Sequence, residues 1–395
     1  MRIGYDGACL SNRRGFGRFA RQLLGALGEI PSEHEFVVFV DRPSADSVDV
    51  PARFRKVVVG VSEAPSHAAS ASGRRRLRDL FAMGRAVSAA RLDLMFFPAS
   101  YSFFPVWNVN RVVVTMHDTL ALEHPELVFP TWQGRVAWKL KEYAALAQAS
   151  QIVTVSETAR RDLMAWLGLS PGRVRVISEG PSPVFYPREA GPESDACLDR
   201  YKIAPDTRYL LYVGGLSPHK NLLRLIEGFA QAAPAEVALV LVGDLGDRFH
   251  THVPELRAAV ARLGLGERVR FPGFVPDQEL AHLYSRAYAL LQPSLMEGFG
   301  LPTVEAMACG TPVISSTAGS LPEVVGEAGV FFMPTNVVQM AQAMRAVLVD
   351  AGLRRRLASL ALERAKRYTW SASARAALAC FEEVALAPGW RRKAA

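Results

Sequence analysis

Apolar runs of four to six residues recur along the whole chain, and stretches with helical spacing of large side chains separate them. In the first half the runs predict strands at 2–5, 35–40, 56–61, 94–97, 112–116, 152–155 and 174–177. Helical spacing predicts helices at 17–27, 75–91, 132–149 and 156–167. The second half repeats the pattern, with strands at 209–213, 238–242, 269–271, 289–292, 313–315 and 330–332. Its helices fall at 222–231, 254–263, 278–286, 302–309, 336–349 and 352–368. Runs such as Val-Ala-Leu-Val-Leu-Val lack polar alternation, which suits strands buried on both faces. Strands that alternate with helices predict parallel sheets covered by helices on each side, an α/β class.

Thirteen strands exceed one comfortable sheet, and the chain of 395 residues suits two or three domains. The periodicity breaks over 179–204, where Pro181, Pro183, Pro187 and Pro192 interrupt it. A domain over 1–186, a linker over 187–204 and a second domain over 205–369 follow from that break. Two doubly wound domains should face each other and bind ligands where the C-terminal strand ends meet the cleft.

Composition then removes several classes. Half the residues are hydrophobic, which excludes general disorder. The four cysteines lie far apart without a C-x-x-C pair, so they predict reduced thiols in a cytoplasmic protein. The first residues read as a strand rather than a leader, and no apolar run approaches the length of a membrane span. The net charge of +8 invites nucleic acid, yet only seven of 46 basic residues are lysine and no recognised nucleic-acid motif occurs, so none is expected as a partner. One cluster, Arg74-Arg75-Arg76 with Arg78, lies near the aromatic stretch 96–107 and could rest on an anionic membrane surface.

The chemistry gathers at strand–helix junctions. After the strand 289–292 comes Pro-Ser-Leu-Met-Glu-Gly-Phe-Gly-Leu-Pro. Gly298 and Gly300 let main-chain N–H groups crowd an anion, and a helix opening near Pro302 adds its positive end. Glu297 sits on this loop and Glu305 eight residues on, about one turn into the helix, where a carboxylate can accept from a ribose diol. A second loop, Gly214-Gly215-Leu-Ser-Pro-His-Lys220-Asn, follows the strand 209–213 and suits a pyrophosphate, with Lys220 neutralising departing charge. Near the N-terminus, Gly15 and Gly17 precede an amphipathic helix, with Arg18 beside them; His117 and Asp118 directly follow the strand 112–116.

With those residues in hand, the chain resembles the retaining glycosyltransferases of family 4, which have the GT-B fold of two Rossmann-like domains facing across a cleft. Glu297 and Glu305 match the family's E-x7-E motif, inside a near-complete P-S-x-x-E-G-F-G-L-P-x-x-E-A-M-A-C-G run ending at Gly310. Further matching stretches are Phe271–Val275, Leu321–Val324 and Val155–Glu157. The segment 370–388 resembles the family's closing helix, which crosses back to complete the N-terminal domain. The resemblance implies that Glu305 binds the donor ribose, Glu297 the transferred sugar's hydroxyls, and Lys220 the diphosphate. It implies that main-chain groups of Gly298, Phe299, Gly300 and Leu301 meet sugar and phosphate, and that the loop around Val275 holds the base. Gly15 and Gly17 would close over the donor, while His117, with Arg18 and Asp118, would lie on the acceptor side. Many relatives carry an arginine where this chain has Gly215 or His219; Lys220, His219 or Arg18 would then supply the charge.

No Asp-x-Asp clamp occurs, so a metal-independent transfer without any cofactor is expected. The glycine-bearing helix start and the Lys-Asn loop resemble mannosyltransferases of bacterial surface polysaccharide synthesis. The donor expected is therefore GDP-mannose and the acceptor a glycan or polyprenyl-diphosphate-linked oligosaccharide, with UDP-sugars as the alternative donors. A rival of another class is a non-catalytic nucleotide-sugar-binding subunit of an assembly complex.

Overall fold

A computed structural model of the chain describes residues 1–12, 14–61, 76–129, 131–246 and 252–387. It divides into two units: 1–179 together with the helix Trp370–Leu386, and 180–369.

The first unit holds seven strands, β1 (Arg2–Asp6), β2 (Glu35–Asp41), β3 (Arg55–Val59), β4 (Leu94–Phe97), β5 (Arg111–Thr115), β6 (Gln151–Thr154) and β7 (Val174–Val176). They pair in parallel in the order β3-β2-β1-β4-β5-β6-β7. The second unit holds β8 (Arg208–Val213), β9 (Val237–Val242), β10 (Val269–Gly273), β11 (Ala289–Gln292), β12 (Val313–Ser316) and β13 (Gly329–Phe332). Their order is β10-β9-β8-β11-β12-β13, again all parallel. Both sheets are doubly wound and Rossmann-like. Each reverses its winding once, between β1 and β4 and between β8 and β11, and the loops leaving those neighbouring strands diverge to opposite faces.

The apolar runs became strands because helices bury them from both sides. In the second unit Leu210, Tyr212, Leu239, Leu241 and Leu291 form one core with Ile226 and Phe229 of the helix Leu222–Ala232 and Met340 and Met344 of the helix Val337–Val349. In the first, Phe39, Met95, Phe97 and Val114 pack with Phe103 and Phe104. Within the aromatic stretch 96–107, Phe96, Phe97, Phe103 and Phe104 are buried in this core, whereas Trp107 is exposed beside Phe81. Arg74 and Arg75 of the adjoining basic cluster lie outside the described residues, as do Arg13 and the C-terminal residues from 388.

The segment 187–204 is structured and belongs to the second unit, where a linker was expected. Pro192 opens a helix, Pro192–Arg200, because a proline in the first turn needs no N–H. That helix docks on Asp277–Arg286 through Arg286 Nη1 donating to Asp195 Oδ1 at 2.7 Å and Tyr201 donating to Glu279. Phe185 likewise meets Tyr284 edge-on at 5.7 Å, so the boundary falls at Glu179, not at residue 186. The helix Trp370–Leu386 packs in the first unit, with Phe381 against Phe96 at 5.0 Å and Ser373 Oγ donating to Ser178 O at 2.6 Å. Among the described residues no helix is long and apolar enough to cross a membrane.

Phe381 is fully buried, so Phe381→Ala should cost about 3–5 kcal/mol of first-unit stability. Equilibrium denaturation should read this as an earlier transition of the first unit with that of the second unchanged; an unshifted first transition would mean that the helix contributes no packing.

Candidate active site

At the reversal of the second sheet, β8 and β11 lie side by side, with Leu211 level with Leu290. The loops that follow them carry Gly214, Gly215 and Lys220 on one strand, Glu297, Gly298, Phe299 and Gly300 on the other. Three bonds tie the loops together. Leu295 N–H donates to His219 O at 2.9 Å, Asn221 Nδ2 donates to Pro293 O at 3.0 Å, and Lys220 Nζ meets Glu297 Oε1 at 2.6 Å.

The Lys220–Glu297 pair is largely withdrawn from solvent, with side-chain exposures of 17% and 13%. Oε1 also accepts from Gln292 Nε2 and from Ser294 Oγ, both at 2.7 Å. Burial pushes the Glu297 carboxyl up, but the ammonium charge and hydrogen bond of Lys220 and the Ser294 hydroxyl outweigh it and hold the carboxyl below its ordinary value. All three donors converge on Oε1; among the described residues no donor takes Oε2.

The loop's main chain is fixed as firmly. Glu297 O accepts from Ser320 N–H at 3.0 Å and Ser320 Oγ at 3.1 Å. Gly319, at φ +56°, passes so near that a Cβ would stand 2.3 Å from Glu297 O. Gly300 caps the helix Leu301–Ala308 at φ +87°, where a Cβ would also strike Leu321 at 2.7 Å. Its carbonyl accepts from Thr303 N–H and Oγ1 and Pro302 has no N–H, so of the first turn only Leu301 N–H lacks an acceptor within the helix. The N-terminal end of this helix thus follows the loop that carries Glu297, the ion-pair partner of Lys220, an arrangement that attracts phosphate.

Other expected donor-side residues belong to the same unit. Phe299 and Leu301 are buried, Phe299 edge-on to Tyr368 at 5.4 Å. Glu305 is enclosed, 1% exposed, and its Oε2 accepts from the Tyr284 hydroxyl at 3.1 Å. Gly214 takes φ +152°, and Gly215 O accepts from the Tyr212 hydroxyl at 2.6 Å, which folds the β8 loop back on its strand. Val275 is buried just beyond the β10 end, beside an exposed Phe274. At the positions where an arginine was expected stand that Gly215 backbone and His219, whose charge also lowers Glu297.

In the first unit the corresponding strand ends gather a second set. His117 follows β5, and its Nε2 donates to Pro98 O at 2.9 Å; a carbonyl only accepts, so the ring proton resides there. Nδ1 faces the buried Glu179 at 3.7 Å, and Phe19 meets the ring edge-on at 5.0 Å. Glu179, which sequence reasoning missed, is the carboxylate that faces His117. Asp118 Oδ1 instead accepts from Leu120 N–H at 3.0 Å. Gly17 is a glycine for packing, since a Cβ there would stand 2.1 Å from Asn12 O, whereas Gly15 has open space around it. Arg18 is half-buried in the same helix, Gly15–Glu29. Arg21, also missed, donates to the carbonyls of Leu10 and Asn12 and fixes the loop after β1.

Gln292, Ser294, Gly319, Ser320 and Asn221 were not anticipated as supports of the Lys220–Glu297 pair. A polar Gln292 closing an otherwise apolar strand was the available signal. Among the described residues no three His, Cys, Asp or Glu side chains group as metal ligands.

Comparison with known proteins places this geometry. The family model "Glycosyl transferases group 1" matches residues 196–364, and "Glycosyltransferase Family 4" matches 13–182. The O-antigen chain mannosyltransferase B of Escherichia coli is 32% identical over 275 residues, 68% of this chain and 69% of that one. The serotype-specific mannosyltransferase WbdA of the same species is 30% identical over 279 residues, which cover 69% of this chain but 33% of WbdA. Among solved structures, a sucrose-phosphate synthase from Thermosynechococcus elongatus aligns over 97% of this chain and 99% of its own, with TM-score 0.75 and 22% identity. Anabaena HepE in complex with UDP-glucose aligns over 97% of this chain and all of its own, with TM-score 0.72 and 22% identity. Family models over both units, together with a mannosyltransferase alike across two thirds of both lengths, establish that the chain belongs to glycosyltransferase family 4.

Proposed function

We propose that the protein is a retaining mannosyltransferase that moves mannose from GDP-mannose to a hydroxyl of a glycan or polyprenyl-diphosphate-linked oligosaccharide, in the synthesis of a bacterial surface polysaccharide. The observation that carries this reading is the Lys220–Glu297 pair, with Glu297 on the loop that leads into the helix Leu301–Ala308. Glycosidic cleavage gathers negative charge on the leaving diphosphate. An ammonium group, one of whose three N–H donors is spent on Glu297, and a helix N-terminus are fixed groups that stabilise that charge without reorganising. With Oε1 anchored, Glu297 keeps Oε2 for a sugar hydroxyl. Glu305 and Tyr284 serve the ribose, and main-chain groups near Val275 the base. His117, whose Nδ1 is not spent on Pro98, serves the acceptor side. The leaving phosphate takes the acceptor proton on the face it departs from, so no covalent glycosyl-enzyme forms, and no metal or cofactor takes part. Mannose as the sugar draws support from the relatives named mannosyltransferase. A UDP-sugar is the second reading, favoured by a structural neighbour solved with UDP-glucose.

Thermal denaturation with GDP, GDP-mannose, UDP and UDP-glucose tests the donor: a ligand at 100 times its Kd stabilises by about 2.7 kcal/mol. The guanosine ligands should raise the melting temperature and the uridine ligands should not; the reverse order would replace GDP-mannose. Lys220→Met should lower kcat about 10²–10³-fold, as loss of one preorganised donor does, with the fold retained by circular dichroism. Near-normal turnover would remove Lys220 from leaving-group stabilisation.

The pair also sets a pH dependence. Glu297 sits below its ordinary value, so its charged form persists through the ordinary carboxylate range and is lost only as pH falls through the lowered value. In Lys220→Met the burial that opposes ionisation is no longer offset, so the acid limb of GDP-mannose binding should move to higher pH. An unmoved limb in titrations monitored by melting temperature would show that Lys220 does not hold the carboxylate charged. Transfer should also be indifferent to EDTA; loss of turnover on chelation, restored by a divalent ion, would overturn the metal-independent reading.

A further inference from the structure

Gln292 is the one polar side chain of β11; Ala289, Leu290 and Leu291 before it are fully buried, and Gln292 itself is 1% exposed. Its neighbours fix which way round the amide stands. Glu297 Oε1, 2.7 Å away, can only accept, so the amide group facing it is the nitrogen. The same nitrogen also donates to Ser294 Oγ at 3.2 Å, and the Ser294 hydroxyl donates onward to Glu297 Oε1 at 2.7 Å. Gln292, Ser294 and Glu297 thus close a ring of three hydrogen bonds. Turning the amide over would set its carbonyl against the carboxylate. The other end of the amide is left wanting: Gln292 Oε1 is enclosed and, among the described residues, has no hydrogen-bond partner. A buried carbonyl without a donor is destabilising, so stability alone favours an apolar side chain of similar size at this position.

What the ring of bonds supplies is orientation. Lys220 and Ser294 reach Glu297 from loops, and a carboxylate held through one oxygen by those two alone can turn and exchange that oxygen for the other. Gln292 belongs to the strand, so its amide ties Oε1 to the sheet. We infer that Gln292 is a positioning residue that locks the Glu297 carboxylate in one orientation, so that Oε2 meets one particular hydroxyl of the transferred sugar and donors are discriminated by that hydroxyl. This role rests on the reading of the chain as a sugar transferase in which Glu297 meets the donor sugar, and it is the same for a GDP- or a UDP-linked sugar. Selectivity for a hydroxyl requires a fixed acceptor. A locked carboxylate oxygen is left unpaired when the hydroxyl is missing, whereas one free to turn finds another donor. The unpaired carbonyl of Gln292 is the stability given up for that lock.

Gln292→Met tests the lock, because it keeps the side-chain length while removing both the amide donor and the unpaired carbonyl. The variant's melting temperature should stay within about 4 °C of the parent's or rise. A larger fall would make Gln292 a structural support and overturn the inference. Donor turnover should then be measured with a series of nucleotide sugars in which one sugar hydroxyl at a time is replaced by hydrogen, built on whichever of GDP and UDP raises the melting temperature. The parent should disfavour one member strongly. In Gln292→Met, kcat/KM of the complete donor should fall at least about tenfold while that of this member is unchanged, so the two losses couple at a single hydroxyl. Equal losses across the series would reveal a general defect and overturn the inference. A crystal structure of the variant without donor should show the Glu297 carboxyl in more than one orientation; a single orientation identical to the parent's would also overturn it. That last measurement uses no nucleotide, so failure of the lock is distinct from failure of the sugar-transfer reading, which would appear as no nucleotide sugar raising the melting temperature.

Discussion

Everything chemical in the second unit depends on one buried ion pair placed where a parallel sheet reverses its winding. Taking Lys220 and Glu297 out of water carries a desolvation cost that a single Coulombic contact rarely repays, and apolar replacements of such pairs are often at least as stable. Here the cost is offset by hydrogen bonds, since Gln292 and Ser294 add two donors to the carboxylate oxygen that Lys220 already holds. A pair so elaborately supported fits poorly with a role in stability alone. Its geometry joins the loops after β8 and β11, and among the described residues it leaves one carboxylate oxygen without a donor.

That pair is held by a second layer of main-chain contacts. Ser320 grips the Glu297 carbonyl, Gly319 admits that carbonyl at a distance no Cβ would tolerate, and Ser316 Oγ donates to Ser294 O at 2.7 Å. Asn221, at φ +61°, reaches Pro293 O and Pro334 O with one amide nitrogen. The first unit solves the same problem differently. The order of β1, β4 and β5 brings the Phe16 ring onto Tyr101 at 5.1 Å and sets His117 between the Pro98 carbonyl and Glu179, so strand ends again supply the polar groups while the sheet supplies rigidity.

The strands were legible because parallel strands buried on both faces announce themselves as unbroken apolar runs; each of the expected thirteen has its counterpart within a residue or two. The glycine-bearing loops and the E-x7-E spacing were legible too, because main-chain anion binding restricts residue type locally. The helix Pro192–Arg200 was not, since its prolines read as breakers and its stabilising partners, Arg286 and Glu279, lie about 80 residues or more away. Separation along the chain, by 62 and 23 residues, likewise hid Glu179 from His117 and Ser320 from Glu297. A pairing between side chains remote in sequence leaves no local spacing to read. The role of the aromatic stretch after β4 was not legible for a related reason: aromatic residues suit a core and an interface equally, and only burial, of Phe96, Phe97, Phe103 and Phe104 but not of Trp107, distinguishes the two.

The electrostatics of Glu297 also bear on the chemistry proposed for it. A carboxylate held below its ordinary range by an ammonium group is a weak base, and proton-transfer efficiency follows basicity. Glu297 is therefore poorly suited to deprotonate an acceptor hydroxyl. As a nucleophile it would have to surrender negative charge to a glycosyl bond while its lysine partner, buried beside it, lost its counter-charge. That loss would leave an uncompensated ammonium at low exposure. Hydrogen bonding through Oε2 to a sugar hydroxyl keeps the pair intact throughout, and it leaves proton transfer to the departing phosphate. The front-face route is thus the one that asks the least of the ion pair on which the second unit's loops rely.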